Sequence, residues 1–178
     1  GDVAAASTII GACPNLHSTR KGVQALKMAI KRGHSPVVNL LVNAGAHLNK
    51  SLAMAMKYNR ADLVLDLIKL GADIHTMNDA CITPLPFAAQ RGRMDILELL
   101  MARGISPEVC FSNCIRMLND PSYVVPGQTR QTTMKHIEHA CLALLPLVSD
   151  VNRFYANYTP LELAVLTRNE QIMAPLLQ

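Results

Sequence analysis

The chain has 178 residues and a mass of 19.4 kDa, half of them hydrophobic and 17% charged, which excludes extended intrinsic disorder. Aromatic residues make up only 4%, with no Trp, so the core is aliphatic and base-stacking recognition of nucleic acid is disfavoured. The net charge of +4 is dispersed, nothing offers the roughly 18 apolar residues of a membrane span, and five irregularly spaced cysteines fit reduced thiols in the cytoplasm.

Taken in chain order, Gly11 to Asn15 reads as the closing turn of a partial repeat over 1–18 that lacks its first helix. A marker leucine followed 19 residues later by a turn glycine then recurs, from Leu26 to Gly45, Leu52 to Gly71 and Leu85 to Gly104. These markers divide the chain into repeats at 19–49, 50–78 and 79–107. Within them Val37, Val38, Leu41 and Val42, then Leu63, Val64, Leu67 and Ile68, then Ile96, Leu97, Leu100 and Met101 predict one apolar stripe on a helix. Ala29, Ala55 and Ala88 fall three residues after each marker, on a shorter first helix that approaches its neighbour closely. Gly33, Asn59 and Gly92 end that helix where a positive φ is expected. Each repeat is thus a helical hairpin that must stack to bury its apolar face.

The fourth repeat, 108–152, starts from Phe111 and reaches the turn position, Val148, after 37 residues rather than 19. That difference places an 18-residue insertion near 119–136, where Asp120 to Arg130 has loop composition. A final repeat at 153–178 starts from Leu161 and stops short of its turn glycine, so both ends read as cut from a longer array. Linkers from glycine to the next marker alternate between long and short, which predicts that every second β-hairpin finger is missing.

These residues resemble the ankyrin repeat. Thr83-Pro84-Leu85-Pro86-Phe87-Ala88 and Thr159-Pro160-Leu161-Glu162-Leu163-Ala164 are similar to its T-P-L-H-x-A signature. Ala44 to Asn49 and Leu70 to His75 resemble its closing G-A-D-V-N turn. The resemblance implies an all-α fold, an ankyrin-repeat solenoid of stacked helix-turn-helix units with some β-hairpin fingers shortened. The signature His is replaced by Lys27, Pro86 and Glu162, which puts its usual hydrogen bonds in doubt.

Chemistry is sparse. Cys110-x3-Cys114 followed by His136-x2-His139 resembles a loose zinc set, but Cys114 falls at the core position of Ala29 and His139 at a solvent position. No phosphate-cradling glycine motif, nucleophile elbow or paired-carboxylate motif is present, so no catalytic residue, metal or cofactor is expected.

Binding is the better expectation. Five to eight residues after the markers come Lys31 and Arg32, Lys57 and Tyr58, Arg91 and Arg93, and Arg116, with no Asp or Glu in these rows. Stacked, they form a basic stripe suited to an acidic or mixed acidic and apolar segment of another protein. The last finger adds Arg153, Phe154 and Tyr155, residue types common at interface hot spots. By resemblance the concave face and fingertips hold the partner. A second reading is a structural spacer or packing domain for an adjacent catalytic domain, and the degenerate repeats, missing fingers and insertion resemble those of ankyrin proteins that intracellular bacteria or viruses place in host cells.

Overall fold

The computed structural model describes residues 3–13, 15, 18–80, 82–120, 128–150, 159–166 and 170–177. Every regular element among them is helical, with no strand. Two compact units divide the chain, Gly1–Pro84 and Leu85–Gln178.

In the first unit the helices are α1 (Val3–Ala12), α2 (Arg20–Arg32), α3 (Ser35–Asn43), α4 (Leu48–Lys57) and α5 (Ala61–Lys69). Local chemistry sets their ends. Thr19 Oγ1 accepts from the Gly22 N–H at 3.0 Å to start α2, and Gly33, at φ 75°, ends it. Asn59 takes the same left-handed turn at φ 56° after α4. Helices α2 and α3 form one hairpin and α4 and α5 the next, with α2 beside α4 and α3 beside α5. Leu26, Ala29, Ile30, Val38, Leu41, Leu52, Ala55, Met56, Leu63, Val64, Leu67 and Ile68 are buried between them. Each of the Leu, Ile, Val and Met side chains among them contributes about 1.5–3 kcal/mol, so stacking rather than helix propensity holds the hairpins.

The alternating linkers are present. Four residues join α3 to α4, whereas residues 70–83 make a long finger after α5. That finger is closed by the Asn78 N–H on the Ile82 carbonyl at 3.1 Å, a loop rather than a strand ladder. Gly11, expected as a turn, differs. Helix α1 runs through it to Ala12, and the Cys13 N–H closes on the Ile9 and Ile10 carbonyls. Gly11 does not take the positive φ of Gly45 and Gly71, so nothing there ends the helix.

The second unit contains α6 (Pro84–Gln90, its first residue at the boundary), α7 (Met94–Ala102), α8 (Pro107–Asn119), α9 (Arg130–Leu144), α10 (Pro160–Leu166) and α11 (Glu170–Leu176). A 3-10 turn at Leu145–Leu147 follows α9. Helices α8 and α9 pair, as do α10 and α11. Residues 130–136, expected within the insertion, are the first two turns of α9, started by Thr129 accepting from the Thr132 N–H at 3.1 Å. Thr133 and Ile137 on those turns are wholly buried, so the apolar period continues there and extends the helix. Residues 121–127 of the insertion lie outside the described residues. Glu162, in the place of the signature histidine, closes a capping box: it accepts from the Thr159 N–H at 2.8 Å while Thr159 Oγ1 accepts from the Glu162 N–H at 3.3 Å.

Candidate protein-binding face

Among the described residues the paired thiols and imidazoles of the sequence, Cys110, Cys114, His136 and His139, do not converge. Cys110, Cys114 and Cys141 are wholly buried along the α8–α9 contact. Burial, with Cys114 and Glu108 nearby, pushes the Cys110 thiol up to about 12. Burial and a hydrogen bond with Cys114 raise Cys141 likewise, so both stay protonated thiols at neutral pH. His136 turns away, placing Nδ1 3.2 Å from the Gln90 carbonyl oxygen and its ring against Gly92, where an added Cβ would meet Cδ2 at 3.1 Å. His139 is exposed. Among the described residues no group of three or more His, Cys, Asp or Glu side chains is placed to hold a metal ion.

The cations have a clearer geometry. Helix α2 buries Gly22, Leu26, Ala29 and Ile30, so at 100° per residue its opposite side carries Arg20, Lys27 and Lys31 in one row. Lys21 and Arg32 flank that row, with Gln24 and the 45%-exposed Met28 between them. Helix α4 buries Ser51, Leu52, Ala55 and Met56 and turns Lys50 and Lys57 outward. The C-terminal ends of the two helices are tied together. Arg60 donates from Nε to the Lys31 carbonyl at 3.1 Å, donates from Nη2 as well, and lies over Gly33. A guanidinium there also satisfies an orphan carbonyl at the negative end of α2. Tyr58 is half-buried beside Lys57.

Arg20, Lys21, Lys27, Lys31, Arg32 and Lys50 have no carboxylate partner among the described residues. Lys57 has one: its ammonium donates to Asp79 Oδ2 on the finger. The hydrogen bond raises the pKa of Lys57 and lowers that of Asp79.

The cations of the second unit, taken by itself, are held differently. Arg91 is half-buried, with its guanidinium 3.8 Å from the centroid of the Phe87 ring and Nη1 donating to the Phe87 carbonyl at 3.2 Å. Arg93 is chelated by Asp95, Nε to Oδ1 at 2.9 Å and Nη2 to Oδ2 at 2.7 Å. Arg116 is exposed and donates to Asn113 Oδ1 at 2.9 Å. Arg153, Phe154 and Tyr155 lie outside the described residues.

Spacing from the markers singled out Lys31, Arg32 and Lys57 among the exposed cations of α2 and α4 and passed over Arg20, Lys21, Lys27 and Lys50. Their signal was available as an absence, since no Asp or Glu occurs from residue 3 to residue 61. Residues 1–84 hold nine Lys and Arg against five Asp and Glu, whereas residues 85–178 hold eight of each, so the whole net charge belongs to the first unit.

Residues 52–101, which run from within α4 to within α7, match the family model of ankyrin repeats (many copies). No curated protein matches the chain. Among the described residues no helix is long and apolar enough to cross a membrane.

Proposed function

On the premise that this is an ankyrin-repeat protein, we propose that the chain is a non-catalytic module of the cytoplasm that binds another protein through its exposed first-helix faces and its fingers. Ankyrin repeats generally mediate protein–protein interaction. The observation that carries the reading is the row of cations on α2, exposed and without carboxylate partners among the described residues. Charges left unpaired on a rigid helix face steer an acidic segment and select against basic ones. Lys31, Arg32, Lys57 and Tyr58 are the proposed contacts of the first unit. Arg91, Arg93 and Arg116, the first two already engaged by Phe87 and Asp95, are kept as proposed contacts of the second unit by itself, together with Arg153, Phe154 and Tyr155 outside the described residues. The acidic or mixed acidic and apolar character of the partner follows from this charge and from Met28. Nucleic acid fits less well, because residues 1–84 contain a single aromatic side chain, Tyr58.

The test is capture of partners from cell lysate by the chain and by its Lys31→Glu/Arg32→Glu variant at matched thermal stability. A protein held by the chain and lost with the variant is the expected result. Identical retention by both would remove the basic face from the binding surface.

A further inference from the structure

We infer that the surface shared by α2 and α4 takes an acidic segment of about six residues, and that Asp79 occupies the place of one of its carboxylates in the free protein. This rests on the binding reading above and adds to it a footprint, a length and an internal competitor.

The footprint follows from helix geometry. Arg20 and Lys31 begin and end one row on α2, eleven residues apart. At 1.5 Å per residue that is roughly 16 Å, the span of about six residues of extended chain. Lys21 and Arg32 widen the row, and the exposed Met28 between them offers a contact for one apolar side chain of the segment. Helix α4 lies beside α2, and Arg60 joins their C-terminal ends, so Lys57 stands at the same end as Lys31 and Arg32.

The competitor follows from the finger. Asn78 Oδ1 accepts from the N–H groups of Ala80 and Ile82, at 2.9 and 3.0 Å, and this tight turn presents Asp79 at its tip. From there Asp79 reaches back across 22 residues to Lys57. Their side chains are 75% and 50% exposed, so the pair is wet and readily exchanged for another carboxylate. Asp79 therefore does in the free chain what the incoming segment does at the remaining cations. In the second unit the equivalent places are spent internally, with Arg93 on Asp95 and Arg91 on Phe87.

The experiment is fluorescence anisotropy with a labelled hexapeptide of five glutamates and one leucine, titrated with the 178-residue chain and its variants. Lys27→Glu/Lys31→Glu is expected to weaken binding at least tenfold. Asp79→Asn is expected to tighten it about two- to fivefold, the scale on which an exposed ion pair competes. In a Lys57→Met background the same Asp79→Asn change is expected to do nothing, whereas a general charge effect would persist there. Tightening that persists without Lys57, or no tightening at all, overturns the competitor and leaves the binding face standing. Peptide binding that ignores Lys27→Glu/Lys31→Glu overturns the footprint, while lysate capture separately decides the broader reading. Tighter binding to polyuridylate or to phosphatidylserine vesicles than to the hexapeptide overturns the choice of occupant.

Discussion

Arg91 and Arg32 stand at the same distance from their markers, yet their surroundings give them different work. Phe87 occupies the place that Met28 holds in α2, one helical turn before the arginine, and its ring and carbonyl both engage the Arg91 guanidinium. Burial lowers the pKa of Arg91 to about 10, which still leaves it charged at neutral pH. Its stem and charge therefore support the α6 turn. Arg91→Ala is expected to cost about 1–2 kcal/mol in urea unfolding, the scale of a partly desolvated cation–π contact with its packing. Arg32→Glu, on an exposed helix end, should stay within about 0.5 kcal/mol. Spacing made these two residues equivalent, because a period reports which direction a side chain leaves the helix and not what it then meets. Lys57 teaches the same lesson, since its partner Asp79 is 22 residues away and only the folded finger brings them together.

At the scale of elements, the 18 extra residues of the fourth repeat are shared among three places. Measured from the markers and stripes against α4 and α5, α8 gains three residues at its end, α9 gains eight at its start, and the connection gains seven. The excess was legible because the 19-residue interval is fixed by hairpin geometry. Its distribution was not, because Asp120 to Arg130 carries loop residues while the burial of Thr133 and Ile137 depends on packing against other elements. The lengthened pair is also clasped at its far end. Glu108, in the first turn of α8, accepts from the Ser149 N–H at 3.3 Å and from its hydroxyl at 3.0 Å. Its own backbone amide first, then the two Ser149 bonds, hold this carboxyl down to about 2, against an ordinary value of 4.5. A lowered carboxylate stabilises the fold above its unfolded pKa and loses that contribution as pH falls through the folded one. Acid unfolding followed by circular dichroism should therefore show a loss of stability between about pH 4.5 and pH 2 that Glu108→Gln diminishes.

The molecule as a whole has one neutral unit and one that carries all of its net charge. The repeat was readable because each hairpin is local, and the equal spacing of leucine and glycine survives wherever the same hairpin is rebuilt. The packed sulfur atoms of the neutral unit give its stability a chemical clock. Cys110, Cys114 and Cys141 meet solvent only when α8 and α9 part, while Cys13 is exposed throughout. Under native conditions, iodoacetamide followed by site-resolved mass spectrometry should modify Cys13 before Cys110, Cys114 and Cys141. The three inner sulfurs should lag by about a thousandfold or more, the delay set by an opening free energy near 4 kcal/mol. Modification at the pace of Cys13 would mean that this helix pair is open in solution. A lag would time, sulfur by sulfur, how often the helix pair of the second unit breathes.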